Sequence, residues 1–204
     1  MTDKGGLKRG KVDPKLVKKL LILESAAQVF SRNNFHAVKV QEIAEEAGVG
    51  KGTIYEYFSS KEELFIEMVR EGFRVYRDRV FMNPEDDREL WVKLEAFIRK
   101  NAEFIWENQQ IACFLIRSNH PFQDKLAGLM LDLRATLLEN LVTTFRVAVE
   151  RGEVKGITPE IAARMLWGAV SEVIAGMILF ERVKPGDAVI QEVLTTFREG
   201  LGVE

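Results

Sequence analysis

Cysteine occurs once in this 204-residue chain, at Cys113, which excludes an internal disulfide framework and a Cys-rich zinc site. Two histidines, His36 and His120, leave little for a metal centre or a His-based triad, and no metal site or cofactor is expected. No HExxH, no glycine-rich phosphate loop and no nucleophile with a base nearby in sequence is present, so no catalytic residues are expected. Long apolar runs are scarce. The strongest near the C-terminus, Val173 to Phe180, is too short to cross a bilayer. The basic N-terminal segment is followed by no apolar h-region, so no secretory signal is expected. The expectation is a cytoplasmic protein without a membrane partner.

Hydrophobic residues make up 47% and charged residues 29%, ordinary globular usage that rules out disorder of the whole chain. A chain of this length can bury a core without cross-links. The net charge of -2 conceals an asymmetry. Residues 1–61 hold eleven Lys and Arg against seven Asp and Glu; residues 62–204 hold eighteen against twenty-four. A basic head on an acidic body suits a nucleic-acid module joined to a different domain, although a solvated basic tail gives the same arithmetic.

Five prolines and fifteen glycines punctuate a sequence in which helical periodicity recurs almost everywhere and strand-like alternation is scarce. The expectation is an all-α protein of about nine helices. Residues 1–15 read as a flexible basic arm. A first helix spans about Leu16 to Asn33, with Asn34 suited to a left-handed C-terminal cap. Short helices follow at Val40–Ala47 and Lys51–Phe58. Ser60-Lys61-Glu62-Glu63 forms a capping box, with Glu63 reaching back to Ser60, and opens a helix to about Phe81. Further helices are expected at about 85–107, 111–118, 121–150 (Pro121 at its first position), 158–181 (Thr158 as N-cap) and 187–198 (capped by Asp187). His36 and His120 read as a loop and a helix-start residue, and Cys113 as a small core residue.

Two short helices joined by a tight glycine turn are the mark of a helix-turn-helix. Ala44 lets the helices approach, Gly48 lets the backbone turn where a side chain would clash, and Ile54 and Phe58 close the small core. The run Ile43-Ala44-Glu45-Glu46-Ala47-Gly48-Val49-Gly50-Lys51-Gly52-Thr53-Ile54-Tyr55-Glu56-Tyr57-Phe58-Ser59-Ser60-Lys61-Glu62-Glu63-Leu64 resembles the DNA-binding signature of the tetracycline-repressor (TetR) family of transcriptional regulators. Ile22 to Phe30 resembles that family's first helix. The likeness covers roughly residues 16–66. Departures occur at Val38 and Lys39, where the family often carries a capping Thr or Ser, at Gly50 in place of Ser, and at Asn34 in place of glycine.

The resemblance implies a DNA-binding domain at 16–62 and a helical effector-binding and dimerisation domain at 63–204. In a helix-turn-helix the N-terminal residues of the second helix meet base edges in the major groove. Lys51 and Thr53 are the candidates for base-edge or phosphate contact, with Gly52 beside them as a further DNA-binding residue. Tyr55 is expected to face the groove, and Tyr57 and Lys61 to grip phosphates, fixing register without reading sequence. Glu56 is expected to point to solvent. A homodimer through the last two long helices would present two recognition helices to a near-palindromic operator, and a small-molecule effector would release it.

In the second domain, polar groups on apolar faces mark candidate effector contacts: Asn101, Arg117 and Glu172, beside Phe104, Phe114, Leu133 and Trp167. Mutual pairing or solvent exposure of the polar groups, and plain core packing of the apolar ones, account for the same pattern. Two other classes remain beside the regulator: an all-α enzyme, and a helical protein-interaction module that does not bind DNA.

Overall fold

The computed structural model describes residues 13–33, 35–117 and 122–201. Expectations for Asn34, His120, Pro121 and the arm up to residue 12 lie outside these residues. Among the described residues the chain forms nine α-helices and no strand: α1 Pro14–Arg32, α2 Val40–Glu46, α3 Lys51–Tyr57, α4 Lys61–Val80, α5 Leu90–Glu107, α6 Gln109–Arg117, α7 Gln123–Glu150, α8 Pro159–Ala169 and α9 Asp187–Leu201.

Local chemistry sets several of the ends. Asp13 caps α1 by accepting from the Lys15 amide, and Pro14 has no amide to leave unpaired. Helix α5 starts at Leu90 rather than near residue 85. Asn83 Oδ1 accepts from the Glu85 amide and Asp86 Oδ1 from the Arg88 amide, so these side chains hold the segment in turns instead of helix. Thr158 occupies the N-cap of α8 without a side-chain cap bond. Asp187 is the first residue of α9 rather than its cap; its carboxylate takes Arg99, and the Gly186 carbonyl accepts from Ile190. The capping box of α4 also departs from expectation. Ser60 Oγ accepts from the Glu63 amide, but Glu63 reaches back to the amide and hydroxyl of Ser59, not to Ser60.

The helix expected over 158–181 is α-helical only to Ala169. It continues as two π-helical segments, Val170–Ala175 and Met177–Glu181, and ends at Arg182, a non-glycine residue with φ 63°. π-Helical stretches are rare and mostly confined to single turns. The whole run Pro159–Glu181, 23 residues, is long and apolar enough to span a bilayer by length and composition alone, with 39% of its most apolar window buried. Val173–Phe180 is thus one part of a longer apolar helix. Ala162, Leu166, Val170, Ile174 and Ile178 bury one side of it in a protein core.

The chain separates into two compact units, residues 1–68 and 69–204. The division falls inside α4, beyond residue 62, because Leu64, Phe65 and Met68 are still buried and the Phe65 ring packs edge-on against Phe30 and Phe35. The first unit is α1 to the start of α4 around Ile22, Phe30, Ile43, Ile54 and Phe58. The second has its own core, built from α5, α7, α8 with its π continuation, and α9. There the buried Asn140 side chain holds Met82 by both backbone groups, accepting from its amide at 3.0 Å and donating to its carbonyl at 2.8 Å.

Candidate nucleic-acid interface and effector region

In the first unit, α2 and α3 are joined by a turn whose geometry depends on one glycine. Gly48 has φ +64°, a region that costs a side-chain-bearing residue about 1–2 kcal/mol. The Gly48 amide bonds the Glu45 carbonyl and the Val49 amide bonds the Ala44 carbonyl at 2.9 Å, so the end of α2 is closed by its own backbone. Ala44 is fully buried between the helices, and Ile54 and Phe58 are each 1% exposed. These four residues occupy the places read from the sequence.

With that face inward, α3 turns Lys51, Gly52, Tyr55 and Glu56 to solvent, while Thr53 and Tyr57 are half-buried. Tyr55 is 48% exposed, a large aromatic with no core to serve. The Lys51 ammonium stands 6.0 Å from its ring centroid, which groups a cation and an aromatic on one surface. Gly50 and Lys39 are the N-caps of α3 and α2, and neither supplies a side-chain cap bond. Elsewhere on the unit, a shallow hollow of about 430 Å³ is lined by Val29, Arg32, Asn33, Glu42, Glu45 and Glu46.

Lys61 is placed differently from a free surface cation. Its Nζ donates to the carbonyls of Phe35 at 2.8 Å and Val38 at 2.9 Å, and lies 4.5 Å from the Phe35 ring centroid. Burial lowers its pKa, with the charge of Glu42 opposing. The carbonyl partners were not legible beforehand, since they lie more than twenty residues away in an irregular segment. Glu63 is held below its usual carboxylate pKa, first by the Ser59 hydroxyl and then by the Ser59 amide.

In the second unit, the polar candidates separate. Asn101 is fully buried. Its Oδ1 accepts from the Tyr76 hydroxyl and its Nδ2 donates to the Phe97 carbonyl at 2.7 Å. Burial raises the Tyr76 pKa, keeping the phenol a neutral donor. Tyr76 also packs against Phe104 with ring centroids 5.0 Å apart, and Arg79 lies 5.8 Å from that ring. Tyr76 was missed in the sequence because a lone tyrosine in a helix gives no hint of its partner. Phe104, Phe114, Leu133 and Trp167 are half-buried, and Glu172 is exposed on the first π-helical segment. Arg117 ends α6; its side chain lies outside the described residues. Cys113 is a core residue whose Sγ accepts from Arg182 Nη1 at 3.2 Å. Among the described residues no group of His, Cys, Asp and Glu is arranged to hold a metal ion.

Comparison with known proteins agrees with this architecture. The family described as bacterial regulatory proteins, tetR family, matches residues 22–68, from the middle of α1 through α2 and α3 to the first turns of α4. The chain is 25% identical over 167 residues to a fatty acid metabolism regulator protein of Bacillus subtilis, covering 79% of this chain and 84% of that one. It is 30% identical over 156 residues to the HTH-type transcriptional regulator RutR of Escherichia coli, covering 74% and 71%. Among solved structures, the transcriptional regulator FadR from Bacillus subtilis in complex with stearoyl-CoA superposes with a TM-score of 0.67 at 25% identity, covering 89% of this chain and 98% of that one.

Proposed function

Since the chain belongs to the tetR family of bacterial regulatory proteins, and is accordingly a transcriptional regulator and not an enzyme, we propose that it is a cytoplasmic homodimer that represses from a near-palindromic operator and is released by a small, largely apolar effector. The observation that carries the DNA-binding half is the exposed group Lys51, Gly52 and Tyr55 on a short helix whose other side is locked in a core. In this reading Lys51, Gly52 and Thr53 meet base edges or phosphate, Tyr55 faces the groove, and Tyr57 and Lys61 meet phosphates. Two of the three N–H groups of Lys61 are engaged by carbonyls, so one is left to donate.

The dimer reading is supported by the outer side of the 159–181 helix, where Ile161 and Met165 are each 50% exposed and Phe180 is 64% exposed. Apolar surface of this kind calls for a partner, and a two-fold copy would offer a second α3 to the other half of a near-palindromic operator. The effector reading rests on relatives. One is named for fatty acid metabolism and one is a complex with stearoyl-CoA, so a long-chain acyl-CoA is the proposed ligand. Phe104, Phe114, Leu133 and Trp167 would face the acyl chain, with Arg117 and Glu172 as polar contacts; Asn101, fully buried with its amide taken by Tyr76 and the Phe97 carbonyl, is not among them. Release requires that the ligand bind the DNA-incompetent arrangement more tightly, since equal affinity shifts nothing. Helix α4, which belongs to both units, is the element through which that preference would reach α3.

The test begins with the duplex that the wild-type protein enriches from a random library. Binding to it is followed by fluorescence anisotropy over a range of salt concentrations. Affinity should fall steeply with salt, and Lys51→Ala should weaken binding and flatten the slope by about one if Lys51 meets a phosphate, or relax base preference if it meets a base. Stearoyl-CoA should release the duplex and free coenzyme A should not. Failure to enrich any duplex removes the DNA reading; enrichment with no response to acyl-CoA removes only the effector.

A further inference from the structure

We infer that Lys61 serves DNA binding as a positioning residue: its ammonium pins the segment between α1 and α2, and thereby sets where α3 is presented. The inference rests on the reading that α3 faces the duplex, and it assigns to Lys61 a role that a phosphate contact does not include.

The segment Phe35–Lys39 needs such a tether. The chain enters α2 through Lys39, whose side chain makes no cap bond. Phe35 is 8% exposed and Val38 2%, and buried carbonyls require donors. Lys61, the first residue of α4, supplies two of its N–H groups to these carbonyls at 2.8 and 2.9 Å. The same ammonium lies over the Phe35 ring, which stacks on Phe30 and meets Phe65 edge-on. One cation thus ties the start of α4, the entry to α2 and the aromatic centre of the unit together. Because α3 follows α2 through the rigid Gly48 turn, displacement of the α2 entry displaces Lys51 and Tyr55.

The geometry demands lysine and not merely positive charge. Two carbonyls converge on one tetrahedral nitrogen above an aromatic ring. The planar guanidinium of arginine spreads its donors along a fork suited to carboxylates and phosphates. Lys61→Arg therefore separates the roles, because it keeps a phosphate-binding charge and loses the tether. Lys61→Met keeps the aliphatic stem over Phe35 and removes every donor.

Both variants are compared with the wild type on the enriched duplex, and the wild type is examined by NMR with ¹⁵N-lysine and ¹³C-carbonyl labelling. Positioning predicts at least a tenfold loss of affinity in Lys61→Arg with the salt slope unchanged. It also predicts correlations across hydrogen bonds from the Lys61 ammonium to the Phe35 and Val38 carbonyls, in the free protein and in the complex. Binding by Lys61→Arg within about twofold of wild type, or loss of those correlations when duplex is added, overturns it. The NMR measurement needs no variant to fold, and its free-protein half stands even if no duplex is ever enriched, in which case the DNA reading fails and the tether does not.

Discussion

Replacing Tyr76 by phenylalanine removes one oxygen and isolates the buried polar contact between α4 and α5. In the wild type the Tyr76 hydroxyl donates to Asn101 Oδ1, and Asn101 is 0% exposed. The phenylalanine ring keeps the packing against Phe104 but leaves the amide oxygen buried and unsatisfied. A buried acceptor without its donor costs about 1–3 kcal/mol, so Tyr76→Phe should destabilise the second unit by that amount. Asn101→Ala should cost at least as much, since a cavity is added to the unpaired phenol. The pair Tyr76→Phe with Asn101→Leu removes donor and acceptor together and should recover most of the loss, because matched apolar replacement is nearly neutral. Trp91, Trp106 and Trp167, the three tryptophans of the chain, all lie in the second unit. Their fluorescence in urea titrations therefore reports that unit alone. A pH series adds a second reading. Burial raises the folded-state pKa of Tyr76 above its unfolded value of about 10. The stability carried by the neutral phenol is complete below that value and declines as the unfolded chain ionises above it. The gap between wild type and Tyr76→Phe should accordingly narrow above about pH 10. A Tyr76→Phe midpoint indistinguishable from wild type at pH 7, or a double variant no better than the sum of the singles, would refute the account of this contact.

Gly48→Ala forces an alanine to φ +64° and should cost the first unit about 1–2 kcal/mol, read as earlier loss of amide protection in α2 and α3 by hydrogen exchange; unchanged protection would contradict the turn assignment. Asn140→Ala leaves both backbone groups of the buried Met82 without their side-chain partner and should lower stability by about 2 kcal/mol or more, measured by the same tryptophan titration. Ile161→Glu with Met165→Glu places charge on the exposed apolar side of α8. The expected result is a monomer in sedimentation equilibrium that has lost operator affinity, and a dimer of unchanged strength would move the interface elsewhere.

Where periodicity and local chemistry sufficed, the sequence determined the outcome. The stripe Val40, Ile43, Ala44, Ala47 can bury only one side of α2, and Gly48 supplies the left-handed turn that no neighbour could adopt as cheaply. Ile54 and Phe58 then have one direction to face, which leaves Lys51 and Tyr55 outward. All of this is written within about twenty residues, and it is also the stretch that carries the family likeness. What the tertiary structure decided involves partners far apart in the chain. Lys61 reads as a surface cation until Phe35 and Val38 are brought beneath it. Asn101 reads as a polar residue open to a ligand until Tyr76 arrives from α4, and Asn140 shows its purpose only beside Met82. The change from α to π pitch after Ala169 follows no local signal either. Helix pitch, side-chain satisfaction and exposure in the second unit are settled by packing of α5, α7 and α8 against one another. A hydrogen bond between residues more than twenty positions apart depends on the whole path of the intervening chain, and no short window of sequence contains that path.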